Sequence, residues 1–229
     1  MNHKSLDPRL SLAFSLYDAC VLAADIGTDH AHLPAALLQR GRCQHMVLTD
    51  ISQSALENAR MEIVRRNLYD RVSLRVGDGL APLDEAFEMI SIMGMGGRTI
   101  RDILLSGEKK LRGASLLLSA HTDCHLIRTA VRDIGYHLDR EEPCYAAGRY
   151  YLIIRARPGP AEMSDRVIRL GGPLFDSMSP FLIPYLQRRR NILEDHLRGL
   201  LSASDKSNPD IQQIRKDIAF YDNFLSAGR

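Results

Sequence analysis

Carboxylates and glycines recur at the ends of short apolar runs in the first hundred residues. The clearest case is Asp25-Ile26-Gly27-Thr28-Asp29-His30-Ala31-His32-Leu33-Pro34, which follows Val21-Leu22-Ala23-Ala24 and leads into an apolar-periodic stretch ending near Arg40. That order reads as strand, tight turn and helix. A turn that holds a pyrophosphate carries several glycines and presents free N–H groups at a helix N-terminus. Here one glycine stands between two carboxylates, which repels phosphate. The turn suits a cationic or neutral cofactor instead, such as S-adenosylmethionine (SAM) with its sulfonium and ammonium groups.

The pattern repeats along the chain. Asp50 ends a second apolar run, Met46-Val47-Leu48-Thr49, where its carboxylate could accept both ribose hydroxyl protons. Gly77-Asp78-Gly79 closes a third, Val72-Ser73-Leu74-Arg75-Val76, and places Asp78 to accept an adenine amino proton. In an open α/β sheet such strand ends line one crevice, so Asp25, Gly27, Asp50, Asp78 and Gly79 form the expected cofactor set. Gly94-Met95-Gly96-Gly97 follows a fourth run, Met89 to Met93. Gly94 is assigned to the cofactor. Met95, Gly96 and Gly97 are assigned to the substrate, because glycine permits close backbone approach. Each of these residues is also an ordinary strand-ending or turn-forming type. The repetition at three successive strand ends is what favours a site. The glycines do not spell GxGxxG, so a nicotinamide dehydrogenase fits less well.

His30 and His32, beside Asp29, form an HxH pair of the kind that can hold a metal. Residues two apart on a helix do not share a face, and no second His or Cys cluster matches the pair, so no metal is expected. Basic residues gather at Arg60, Arg65, Arg66, Arg71 and Arg75, and again at Arg188-Arg189-Arg190. They read equally as helix surface charge or as an RNA-facing surface.

The elements that must carry these residues alternate. Asp7-Pro8 opens a first helix, and strands fall at about 21–25, 46–50, 72–76, 89–93 and 115–119. Helices follow at about 30–40, from Ser52 to about Asn67, after Gly97, and after Asp123 as a cap. Tyr136 to Arg140 and Tyr150 to Arg155 close the series as two consecutive strands. This predicts an α/β, Rossmann-like sheet, mostly parallel with one antiparallel strand. Composition changes at Arg157-Pro158-Gly159-Pro160, which sets the expected boundary between a domain at 1–160 and a helical one at 161–229. In the second, Leu182, Leu186, Leu193, Leu197 and Leu200 share one helical face, with Arg189 interrupting it. Ile211, Ile214, Ile218, Tyr221 and Leu225 share another, after a loop from Ser202 to Asn208. The two read as an antiparallel helical hairpin.

The 229 residues carry a formal net charge of +2 and four cysteines without CxxC spacing. A disulfide framework is not expected. The N-terminus has no apolar signal-peptide core, and no run reaches transmembrane length. The expectation is a cytoplasmic protein with no membrane partner.

On these residues the chain resembles the bacterial tRNA adenine-22 N1-methyltransferases. The Asp25–Pro34 turn is similar to their DIGSDHAYLP signature. Val76-Gly77-Asp78-Gly79-Leu80 and Met93-Gly94-Met95-Gly96-Gly97 match further motifs, as do Pro8-Arg9-Leu10, Gly148-Arg149-Tyr150-Tyr151 and Gly172-Pro173-Leu174. The chain departs from the family after the fifth strand, where Leu118-Ser119-Ala120-His121 stands in place of Leu-Gln-Pro-Asn. The resemblance implies a class I, SAM-dependent methyltransferase domain with a coiled-coil-like C-terminal domain, acting on N1 of adenine 22 in tRNA. With it, Asp29 becomes the candidate catalytic carboxylate, one turn beyond the cofactor glycine, and Arg9 a candidate substrate contact. Arg188 and Arg190 become candidate tRNA contacts. A SAM methyltransferase with another substrate, a non-catalytic RNA-binding protein with this fold and a metal-dependent hydrolase using Asp29, His30 and His32 are the alternatives.

Overall fold

A computed structural model describes residues 6–160, 162–202 and 208–227. Its centre is a seven-stranded sheet in the order β3-β2-β1-β4-β5-β7-β6. The strands are β1 (Cys20–Ile26), β2 (Cys43–Asp50), β3 (Val72–Val76), β4 (Met89–Met95), β5 (Ser115–Ala120), β6 (Tyr136–Ala146) and β7 (Arg149–Pro158). The first five pair in parallel, and β7 runs antiparallel to both β5 and β6, so one strand is reversed, as the sequence predicts.

Helices cover both faces. On one side lie α1 (Pro8–Leu16), α2 (His32–Gln39) and α3 (Gln53–Arg65). Their apolar faces meet Ala23, Met46, Leu48 and Ile153 of the sheet. Asp7 and Ser52 accept the expected capping bonds from the Leu10 and Ala55 amides. On the other side lie α4 (Gly97–Ser106), α5 (Glu108–Leu111) and α6 (Cys124–Asp133), packed on Ile90, Ile92, Leu116 and Leu118. Asp123 occupies the N-cap position of α6 but makes no side-chain cap bond. Its backbone is left-handed, at φ 56°, which turns the carboxylate away from the first helical amides.

The C-terminal stretch shares this second core. It contains α7 (Asp165–Leu170), α8 (Leu182–Ser202) and α9 (Asp210–Ala227). Leu170, Leu174, Leu182, Tyr185, Leu186 and Tyr221 are buried in the same cluster as the sheet residues. A buried ion pair fixes the join. Arg128 Nε on α6 donates to Glu141 Oε1 on β6 at 2.6 Å, and its Nη1 reaches the Ile168 carbonyl at 3.2 Å. Glu141 Oε2 in turn accepts the Gly172 N–H at 2.8 Å. Burial alone would make the Arg128 guanidinium easier to deprotonate; the Glu141 charge outweighs it and holds the proton more firmly. Arg169 continues the chain of contacts to Asp217 on α9, at 2.9 Å. The Ser202–Asn208 loop of the hairpin lies largely outside the described residues. Among those residues no helix is long and apolar enough to cross a membrane.

Candidate active site

The Asp25–Pro34 turn leaves the end of β1 at the centre of the sheet, beside β4. Gly27 adopts φ 74°, a left-handed conformation that disfavours side chains. A Cβ there would stand 2.0 Å from the Met95 methyl, so a larger residue would have to displace the Met95 side chain as well as adopt the strained backbone. The amides of both Gly27 and Thr28 donate to the Thr49 carbonyl, at 2.8 and 3.0 Å. Neither is free for a phosphate, which is the arrangement expected of a turn built for another ligand.

Asp25 is buried. Ser91 Oγ on β4 donates to its Oδ1 at 2.5 Å, and the Thr28 hydroxyl lies against Oδ2. Burial pushes its carboxyl up to about 6, against the opposing pull of these two hydroxyls. Asp29 is exposed. Its Oδ1 accepts from Asn58 Nδ2 of α3 at 3.3 Å, and its Oδ2 stands 3.2 Å from His30 Nε2.

The helix does not begin at His30. Ala31 takes φ 50° and α2 starts at His32, so the chain bends between the two histidines. Their rings therefore stack, with centroids 5.6 Å apart, where helical spacing would have separated them. His32 faces Glu62 at 3.6 Å. Among the described residues no three His, Cys, Asp or Glu side chains converge as metal ligands.

A cavity of about 530 Å³ opens over this turn. Asp25, Gly27, Asp29 and Gly94 line it together with Arg9, so five sequence-predicted residues from α1, β1, the turn after it and β4 meet there. Two further lining residues, His121 and Tyr151, were not foreseen as site residues. The Arg9 guanidinium lies 5.2 Å from the Tyr151 ring centroid, and the His121 ring meets Tyr151 edge-on at 6.0 Å. They converge because β7 runs antiparallel to β5, bringing the start of one strand to the end of the other. The only sequence signals were the departure at His121 and the Gly148–Tyr151 motif.

The other predicted residues lie outside the cavity lining. Asp50 ends β2 next to β1, and one of its oxygens accepts the Ser52 N–H at 2.8 Å. Ile51, not foreseen either, leaves 72% of its surface exposed at the same strand end. Asp78 is exposed beyond β3. Gly79 packs on Ile103, 3.1 Å from where its Cβ would be. Gly97 is buried, and a Cβ there would lie 2.4 Å from the Asp123 carbonyl oxygen. Its lack of a side chain serves the packing of α4 against the loop before α6. Gly96 borders the same loop, 4.0 Å from Thr122 Oγ1 by the same measure. Met95 fills the space over Gly27.

The basic clusters separate. Arg60, Arg65 and Arg66 pair with Glu57 and Glu62, and Arg75 pairs with Glu85. Arg71 caps the carbonyls of Leu38, Cys43 and Gln44. These are structural contacts. Arg190 bonds Asp222 across the hairpin and Glu194 on its own helix, so its charge is spent within α8 and α9. Arg188 is exposed.

A crevice of acidic strand ends, with a glycine turn whose amides are already bonded, is unlike a phosphate-binding nucleotide site. The chain belongs to the methyltransferase domain family, which it matches over residues 6–154. It is similar to a Bacillus subtilis (strain 168) tRNA (adenine(22)-N(1))-methyltransferase, 28% identical over 184 residues, which span 80% of this chain and 76% of that protein. Among solved structures, a Streptococcus pneumoniae protein in complex with S-adenosyl-L-methionine is 26% identical, with a TM-score of 0.84 over 96% of this chain and all of that one. The B. subtilis M1A22 tRNA methyltransferase TrmK shares the fold at 21% identity, with a TM-score of 0.85 over 96% of this chain and 99% of that chain.

Proposed function

We propose that the protein transfers the methyl group of S-adenosylmethionine to N1 of adenine 22 in tRNA, as a cytoplasmic, RNA-binding enzyme. The observation that carries this reading is the cavity in which Asp25, Gly27, Asp29 and Gly94 meet Arg9, Tyr151 and His121. The B. subtilis relative supports the substrate, and the S. pneumoniae structure supports the cofactor. Residues 1–160 supply the catalytic sheet in this reading, and residues 161–229 help to position the RNA.

The residues present fit the cofactor. Gly27 leaves no side chain at the turn, and Asp50 has a second carboxylate oxygen for a ribose hydroxyl. Ile51 offers an exposed apolar side chain beside them, and Asp78 could accept from an adenine amino group. S-adenosylmethionine, when bound, supplies an electrophilic methyl group on a cationic sulfur.

The protein's own contribution begins with placement. Adenine N1 carries a neutral lone pair, so holding the ring in line supplies much of the rate. The cavity volume is within the range of small-ligand sites, and Tyr151 and His121 offer it aromatic walls. N1 lies on the pairing edge of the base, which must be swung out or already unpaired to enter. Methylation leaves positive charge on the adenine ring. Asp29 stands in the cavity wall, held by Asn58 and His30, where its carboxylate can balance that charge or accept a proton from the amino group.

Nucleoside mapping by mass spectrometry, on unmodified tRNA incubated with the protein and labelled SAM, tests the reading. The expected product is 1-methyladenosine at position 22. Label in another nucleoside, or none, would overturn it.

A further inference from the structure

Ser91 is a polar residue in an apolar row. It lies two positions after Met89 on β4, opposite Asp25 of β1 on one side and Leu117 of β5 on the other. Residues two apart on a strand share a face. The neighbours on this face, Ala23, Met89 and Leu117, belong to the apolar core under α1 and α2. Central parallel strands are ordinarily apolar throughout, and a buried hydroxyl is costly unless it is bonded. Ser91 is fully buried. Its nearest acceptor is Asp25 Oδ1 at 2.5 Å, and the Ala24 carbonyl stands farther off at 3.3 Å.

We propose that Ser91 is a positioning residue for cofactor binding: its hydroxyl, donated from inside the sheet, holds the Asp25 carboxylate charged and in place for the cationic end of S-adenosylmethionine. This rests on the cofactor reading above. Asp25 touches both environments. It is buried in the sheet yet lines the cavity. One of its carboxylate oxygens accepts from Ser91 and the other from the Thr28 hydroxyl. Apolar surroundings favour the neutral acid, and hydroxyl donors favour the ion. The Thr28 hydroxyl also lies 3.0 Å from the Asp25 carbonyl oxygen, so its one proton has a second acceptor close by.

A second buried hydroxyl stands behind Ser91. Tyr17 follows α1, and its Oη makes no hydrogen bond among the described residues. Burial pushes this phenol well above its ordinary value, the Ser91 hydroxyl pulls the other way, and the Asp25 charge adds to the rise. Both groups therefore lie beside it. Tyr17 faces the Ser91 oxygen with a proton to give, which leaves the single Ser91 proton to Asp25. The other charges around Asp25 do not replace this bond. Asp50, at the end of β2, disfavours a charged Asp25. Asp7, Arg9, Asp29, His30, His32 and His121 line the same cavity, and none of them bonds the Asp25 carboxylate, whose side-chain partners are Ser91 and Thr28.

Calorimetric titration of the full-length protein with SAM at pH 6 and 7.5 tests this. The parent's Asp25 carboxyl is held up to about 6 by burial. Without the Ser91 donor it should ionise about one pH unit higher. Ser91→Ala should therefore weaken SAM binding about fivefold at pH 6 and less than about twofold at pH 7.5. Taking the ratio to the parent at each pH cancels the cavity histidines, which titrate in both proteins. In an Asp25→Asn background, Ser91→Ala should leave the pH profile as it was. A loss of the same size at both pH values marks Ser91 as packing alone and overturns the proposal, as does no loss at either. Asp25→Asn binding SAM as tightly as the parent would instead defeat the reading of Asp25 as a cofactor contact.

Discussion

Ser91 Oγ and Asp25 Oδ1 lie 2.5 Å apart inside the sheet, a hydrogen bond that joins β4 to the end of β1 directly beneath the glycine turn. Burial holds the Asp25 carboxyl up near 6, where an exposed aspartate ionises near 3.8. Between roughly pH 4 and 6 the folded chain keeps a proton that the unfolded chain has lost. Stability from this group is therefore fully present below the unfolded value and falls as pH rises through the folded one. The loss amounts to about 3 kcal/mol by pH 7. Asp25→Asn should abolish that fall. Denaturant unfolding at a series of pH values checks it, and a fall that persists in the variant assigns the effect to another group.

Asp29→Ala should leave SAM affinity close to the parent's and slow single-turnover methyl transfer by about 10²–10⁴-fold. Asp29 and His30 are exposed and Asn58 is only half-buried, so removing the carboxylate disturbs no buried contact. Transfer within a few-fold of the parent would exclude Asp29 from the chemistry.

Variants at Ile51 and Asp78 test where the cofactor's adenosine would lie. Ile51→Ala removes exposed apolar surface that a bound ring would cover, and Asp78→Ala removes a hydrogen-bond acceptor. Each should weaken SAM binding about tenfold by calorimetry. The methyl-transfer rate at saturating SAM should be kept. Unchanged affinity in both would place the adenosine elsewhere.

Arg128→Met should destabilise the fold by about 3–5 kcal/mol, because Glu141 is left buried without its partner. Glu141 also holds the amides of Gly172 and Leu174. Converting both members of the pair to apolar residues should therefore recover only part of the loss. Full recovery in the double variant would mean those amides find water or other acceptors. By the same packing, a chain cut near Pro160 loses Leu170, Leu174, Leu182 and Tyr185 from its core. Its failure to methylate tRNA would then report unfolding as much as lost RNA contacts.

Strand ends were legible because an acid or glycine after an apolar run is a local signal, and Asp25, Asp50, Asp78 and Gly94 all stand where that signal puts them. The sequence pattern ends β6 at Arg140, whereas the strand runs to Ala146. Its stretch Asp139-Arg140-Glu141-Glu142 looks like a solvated loop, yet Glu141 is buried on Arg128 and Asp139 bonds Arg155 and Arg157. Partners distant in sequence neutralise those charges, and a local pattern does not carry that information. The same holds for Arg190, whose partner Asp222 lies on the next helix, and for His121 and Tyr151, which meet only through strand pairing. Arg188 and Arg190 are alike in sequence, and only the hairpin tells them apart.

The Arg128–Glu141 clip gives the molecule something a tethered arm would lack. Bonds run from α6 to β6, to the amides after α7 and on through Arg169 to α9, and so tie the helical hairpin to the sheet. The span from Gly94 to the hairpin is thus fixed when the chain folds, before any RNA arrives. Under the tRNA reading, such a molecule works as a caliper. A caliper of that kind would select an adenine by how far that base lies from the rest of a rigid tRNA.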